Sequence, residues 1–162
     1  MFTVSLDSKG YSIKPQGFEV GSISKRVARP FNGTLQEIAD KVGRQGYSWC
    51  PVIFKDEYRN NDNFLMQELY ALDFDKGITY GEVRERCQEY DVGIAFAHET
   101  FSSVDGSKFR VVFFGPRLYC VDTAKEYQLG LMRIFPEADI KCKDPARLFF
   151  GGKKLIYLKE GL

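Results

Sequence analysis

Histidine is nearly absent from this 162-residue chain; the only one is His98. Nucleases built on a His-hydrophobe-His pair need two, and multi-histidine zinc hydrolases need several, so both classes are excluded. A Ser-His-Asp triad would have to use His98, and no G-x-S-x-G accompanies it. Cysteine is sparse too. Cys50, Cys87, Cys120 and Cys142 lie 22 to 37 residues apart, with no C-x-x-C and no histidine neighbour. That spacing argues against structural zinc and for buried free thiols in a reducing cytosol. No run approaches the ~18 apolar residues of a membrane span. The start, MFTVSLDSKG, lacks the basic opening and apolar stretch of a signal peptide. A cytoplasmic protein with no membrane partner is the expectation. Charge of one sign is also lacking: the net value is +1, so no global field selects a partner. Local clusters exist. The tail Lys141–Lys159 carries six Lys or Arg against one acid, Asp144, and Lys25–Arg29 is basic as well.

What is present suits one soluble domain. The length fits a single unit and lets roughly two thirds of the unfolded surface be buried. Hydrophobic content of 44% and charged content of 28% are ordinary. Residues 1–33 are rich in Gly and Ser, with β-like pieces at Phe2–Leu6 and Tyr11–Lys14. The first clear helix starts at the capping box Thr34–Glu37. Leu35, Ile38, Ala39 and Val42 then recur at helical spacing, and Cys50–Phe54 reads as a short strand. From Leu65 the pattern is more regular. A strand over Leu65–Asp75 is followed by a helix opened by the capping box Thr79–Glu82. Strands over Val92–His98 and Lys108–Phe114 flank a polar loop with the turn dipeptide Asp105-Gly106. A third capping box, Thr123–Glu126, opens a helix that stops before Pro136. A strand falls at or near Arg147–Phe150, and a further one is expected at Leu155–Leu158.

The order β-α-β-β-α-β predicts an α+β fold with a ferredoxin-like or RNA-recognition-type core at 64–158, and residues 1–63 as an N-terminal α/β module packed on it. In that arrangement the first and third strands are central and the fourth flanks the first.

Within it, the stretch LDFD places two carboxylates, Asp73 and Asp75, one residue apart. Strand alternation turns both to the face opposite Phe74 and Leu72. Lys108 and Arg110 share a face by the same rule, beside the first strand. A salt-bridge cluster needs no ligand. An acidic site for a hard cation beside cationic phosphate ligands uses both pairs together. Asp139, or alternatively Asp144, would add a third carboxylate at the end of the first strand. Arg147 could reach a phosphate or pair with an aspartate.

The blocks LDFDKG, SKFRVVFF and FPEAD with KDPARLFFGG, taken in order, resemble the archaeo-eukaryotic primase superfamily (AEP). The likeness is strongest to primase-polymerase domains of replication proteins in plasmids, phages and related mobile elements. It spans about Phe64–Lys154. It implies that Asp73, Asp75 and Asp139 are catalytic and hold two Mg²⁺ or Mn²⁺ ions. It implies that the segment Ser107-Lys108-Phe109-Arg110 meets the phosphates of a nucleoside triphosphate. Arg110 stands there where the family usually has His, which suits phosphate clamping but not proton transfer; His98 is the rival for that motif.

The implied activity is template-dependent nucleotidyl transfer on DNA, by a primase or polymerase acting in replication of a mobile element or phage. Lys25, Arg26, Lys153 and Lys154 would track template phosphates. A helicase, fused or separate, would be a partner, which allows for this chain being a piece of a longer helicase-containing protein. Three other readings stay open. One is a non-catalytic RNA-recognition-like module, although the strand-face positions carry Asp, Lys and Arg rather than aromatics. The others are a metal-dependent nuclease using the same carboxylates and an inactive relative serving as a scaffold.

Overall fold

A computed structural model describes residues 1–161. The N-terminal part consists of β1 (Phe2–Gly10), α1 (Phe18–Arg26), β2 (Pro30–Gly33), α2 (Leu35–Gly43), β3 (Tyr47–Cys50) and β4 (Val52–Phe54). The rest is β5 (Phe64–Phe74), α3 (Tyr80–Glu89), β6 (Ile94–Glu99), β7 (Phe109–Leu118), α4 (Val121–Ile134) and β8 (Lys154–Leu158). Two antiparallel sheets with these four helices make an α+β fold, as the sequence order predicts.

The helix starts follow the local chemistry. Thr34 and Glu37 cap α2 reciprocally, and Thr79 and Glu82 do the same for α3. The third expected box does not form. The helix α4 begins two residues earlier than Thr123, whose hydroxyl donates back to the Cys120 carbonyl at 3.0 Å. Helix α1 carries no such signal: it has no side-chain cap, and Ile23 is its only buried residue. Pro51 divides the expected strand over Cys50–Phe54. Cys50 pairs into the small sheet β2-β1-β3, and Val52–Phe54 pairs with β5 in the large one.

The large sheet runs β4-β5-β7-β6-β8. Its centre, β5-β7-β6, has the expected neighbours, but its edges differ from the ferredoxin-like order. The place beside β5 belongs to β4, so the last strand lands on the opposite edge, against β6. Phe149 makes only a single bridge, to Trp49 of β3. Between that bridge and β8 the chain passes through a very tight space. A Cβ on Gly151 would sit 2.6 Å from the Tyr47 carbonyl oxygen, and one on Gly152 would sit 2.1 Å from that of Glu99. Only glycine fits there.

Both faces of the sheet are covered. On one, Phe74 stacks on Phe109 at 5.2 Å and meets Phe135, beyond α4, edge-on at 5.9 Å. On the other, Trp49 packs on Phe96 and Phe2 on Phe114, while α2 lies over β6 and β8. Leu72 and Phe74 therefore face α3 and α4 as alternation requires, and Asp73 points to the opposite face, toward Arg110 and Arg147. Most aromatic side chains are core, yet Phe18, Tyr58, Tyr90 and Tyr119 are exposed.

Phe74 is fully buried between two rings. Its replacement by Ala should lower the unfolding free energy by about 3–5 kcal/mol in a denaturant titration.

Candidate functional site

At the end of β5 the register sets three side chains in a row on one face. Asp73 lies opposite Arg110 of β7, and Arg110 lies opposite His98 of β6. Asp73 and Arg110 are both nearly out of contact with water. Arg110 Nε donates to Asp73 Oδ1 at 2.5 Å and Nη2 to Oδ2 at 3.3 Å. Its Nη1 donates to the Phe150 carbonyl, and the guanidinium sits 4.5 Å over the Phe149 ring. All three nitrogens of Arg110 are thus engaged.

The third carboxylate arrives on the segment after α4. After α4 the chain turns at Pro136 and forms a short 3-10 turn, Ile140–Lys143, whose N-cap is Asp139. Backbone and side chains bind this turn to β5. Asp139 N–H donates to the Asp73 carbonyl at 2.9 Å, and Asp73 N–H donates to Cys142 Sγ at 3.3 Å. Gln128 of α4 donates from Nε2 to the carbonyls of Ala71 and Cys142, at 2.9 and 3.0 Å. The Cys142 thiol is pushed up to about 12, first by burial and then by the Asp73 charge; it is a packed acceptor, not a nucleophile.

Arg147 closes the cluster. Its Nη2 donates to Asp73 Oδ2 at 3.0 Å and to Asp139 Oδ2 at 3.2 Å. Burial pushes the Asp139 carboxyl up, but the Lys141 N–H and the Arg147 and Lys141 charges outweigh it, and its pKa lies below the ordinary value. Of the two readings the sequence allows, the salt-bridge cluster forms at Asp73 and not at Asp75. Asp73 is neutralised by two arginines. Asp75 is exposed just past the strand and enters none of the ion pairs of the described residues.

A cavity of about 340 Å³ opens on this cluster. Asp73, Asp75 and Asp139 line it, together with Lys108, Arg110 and Arg147. Sequence reasoning missed two further cations there, Lys14 and Lys141. Lys141 belongs to the basic tail, a usable signal; Lys14 reaches the cavity from the β1–α1 loop, which no local pattern announces. Five cationic side chains against three carboxylates leave a surplus that attracts anions. A second cavity of about 620 Å³ shares Asp75, Asp139 and Lys141 with the first. A third groove shares Lys14, Thr100 and Phe101 and continues to Lys153 and Lys154.

Other expected site residues lie elsewhere. Ser107 is exposed but does not line the cavity. Asp144 accepts from Asn61 Nδ2 at 2.9 Å and from Ala146 N–H at 3.1 Å, so Asp139 is the carboxylate beside Asp73. Arg26 is spent on the buried Asp7, at 2.6 Å, and on Tyr11. Lys25 is exposed on α1. Lys154 pairs with Glu99 at 3.3 Å. His98 is walled off under α2 and does not reach the cavity; Nδ1 donates to its neighbour Glu99's carbonyl at 2.9 Å. Burial first, then the Arg110 charge, push its imidazole down to about 3.

The donor set fits a hard cation, which takes oxygen ligands. Arg147 Nη2 is itself a cationic atom seated between oxygens of Asp73 and Asp139. The position between those carboxylates therefore suits positive charge. With the arginines placed as they are, no group of three His, Cys, Asp or Glu side chains among the described residues stands close enough to hold a metal. Compared with models of known protein families, with curated proteins and with solved structures, the chain gives no match.

Two outcomes follow. Asp73→Ala strands two arginine charges and should destabilise the fold by about 3–5 kcal/mol, whereas Asp75→Ala should change stability by no more than about 0.5 kcal/mol. Paired denaturant titrations read the difference. His98 is neutral when folded, whereas the unfolded residue takes up a proton below about pH 6.5. Its contribution is therefore lost as pH falls, by about 2 kcal/mol between pH 7 and 5. A His98→Gln variant should show that much less loss over the same interval.

Proposed function

We propose that this chain is a metal-dependent nucleotidyltransferase of the primase-polymerase kind, extending DNA from nucleoside triphosphates on a template. The observation that carries the reading is the placing of Asp75 and Asp139 on the wall between two cavities, one of them lined by five cations. Transfer joins two ligands at one acidic centre, and a polyphosphate needs more positive charge than a single scissile phosphate. The order of the LDFD, SKFR and KDPAR blocks supports the same reading by resemblance.

Asp73, Asp75 and Asp139 would hold Mg²⁺ or Mn²⁺. When bound, such ions activate a 3′-hydroxyl and steady the pyrophosphate leaving group. The chain's own groups do the rest. Lys14, Lys108, Lys141 and Arg147 bind and orient the triphosphate from the cationic cavity. Arg110, with its donors on Asp73 and Phe150, acts chiefly by fixing the Asp73 carboxylate; this is a narrower role than direct phosphate clamping. The adjoining cavity beside Asp75 receives the growing end. Lys153 and Lys154 extend the cationic line along the third groove, where template phosphates would run. A helicase partner fits this activity.

A base-stacking RNA-recognition module is disfavoured. Such modules use the sheet face of the first and third strands, and that face is covered by the N-terminal module.

The test is extension of a primed DNA template with labelled nucleotides and Mn²⁺ or Mg²⁺. The informative variants are Asp75→Asn and Asp139→Asn, because Asp73 substitutions also disturb the fold. Loss of a metal ligand should exceed the roughly 10- to 100-fold effect typical of outer-shell partners. Each variant should therefore extend more than about 100-fold more slowly than the wild type. Wild-type template shortening that needs these carboxylates would overturn synthesis in favour of hydrolysis.

A further inference from the structure

The two arginines that hold Asp73 are not equivalent. Arg110 rises from a central strand directly opposite its partner, leaves 5% of its side chain exposed, and has every nitrogen engaged. Arg147 comes from an irregular segment and leaves 19% exposed. Its Nη1 is buried without a partner among the described residues. A buried unpaired donor is costly, and phosphate oxygens are the acceptors that a guanidinium satisfies best, two at a time.

The contacts Arg147 does make are those a metal would need. Its single Nη2 touches oxygens of both Asp73 and Asp139, at 3.0 and 3.2 Å. A guanidinium and a divalent ion cannot share that position, because the same carboxylate oxygens serve both and two cations about 3 Å apart repel. The Phe149 ring, 5.2 Å from the guanidinium carbon, offers a flat surface along which the group can shift without losing its packing. The cation-lined cavity is open beside it.

We infer that Arg147 is an exchangeable counter-ion: it occupies the cation position between Asp73 and Asp139 until a polyphosphate draws its guanidinium into the cavity. Divalent-cation binding and triphosphate binding then depend on each other, and the coupling is reciprocal. Arg110 is the fixed counter-ion that stays with Asp73 throughout. This inference rests on the nucleotidyl-transfer reading and adds an order to it, since the metal is held weakly until the triphosphate arrives.

The test measures Mn²⁺ binding to the full chain by electron paramagnetic resonance, with no turnover. Arg147→Met, which keeps an apolar stem on Phe149, should bind Mn²⁺ alone roughly tenfold tighter than the wild type, the equivalent of losing one charge-assisted contact. Arg147→Gln serves if the first variant does not fold, as judged by its melting curve. Loss of the charge alone would tighten Mn²⁺ equally with and without triphosphate, whereas exchange predicts that the gain of the variant disappears once triphosphate is present, so that comparison decides. In the wild type, protein and inorganic triphosphate together should take up more Mn²⁺ than the two do separately. Equal or weaker Mn²⁺ binding by a folded variant, or additive uptake in the wild type, overturns the exchange. If that binding still needs Asp75 and Asp139, as their Asn variants would report, the nucleotidyl-transfer reading stands. If no Mn²⁺ binds in any protein, with or without triphosphate, both fail.

Discussion

A carboxylate and a guanidinium buried side by side in the middle of a sheet constrain everything around them. Asp73 and Arg110 sit on adjacent central strands where apolar residues are the rule. Removing both charges from water costs several kcal/mol per ion, and their attraction repays that only when the remaining donors and acceptors are satisfied. The chain supplies those partners from far away. The Phe150 carbonyl accepts from one Arg110 nitrogen, the Phe149 ring lies under its guanidinium, and Arg147 adds a second donor to Asp73 Oδ2. The segment 147–152 is therefore held both by this ion pair and by backbone hydrogen bonds to Trp49 and Val42. A pair this costly adds little net stability. Its presence is better explained by the cavity it shapes.

The same accounting separates the charged groups by task. Arg26 with Asp7, and Arg117 with Glu68, are pairs that each contain one buried acid and lie away from the cavity. They tie secondary elements together. The groups around the 340 Å³ cavity differ because several of them, Lys14, Lys108 and Lys141, enter no ion pair among the described residues, and neither does the exposed Asp75. Structural ion pairs consume charge, and a binding site leaves some of it available. His98 stands just outside this division. It shares the row with Asp73 and Arg110, yet it is sealed under α2 and kept neutral, so its part is to fill the sheet face rather than to move protons.

How much of this was legible in the sequence depended on the range of the interaction. Period-two alternation is a property of the strand itself, so the shared face of Asp73 and Arg110, and the opposite face of Phe74, could be read residue by residue. The capping boxes at Thr34 and Thr79 are equally local. What escaped was decided at a distance. Which edge the last strand joins depends on β4 having already taken the place beside β5, and no pattern within Lys154–Leu158 encodes that. The salt bridge of Arg147 spans 74 residues, so the choice between a phosphate and an aspartate as its partner was not legible until the loop was placed. Helix α1 was hidden because it buries a single residue and so shows no apolar stripe. Lys14 was hidden because nothing in a loop's own sequence says which cavity it borders.

The passage of the chain through Gly151 and Gly152 has a consequence for the order in which the molecule can be made. The backbone there is clamped between the carbonyls that end β6 and those that lead into β3. The stretch just before it joins Trp49 at Phe149 and supplies the Arg110 acceptor. Contacts between residue 49 and residue 149 are among the longest-range in the fold, and such contacts are slow to form. During synthesis β5, β6 and β7 leave the ribosome with Asp73 and Arg110 facing a surface that nothing yet closes. The Asp73 end of the sheet is then the last part to set, because its closure waits for the segment that passes through the two glycines.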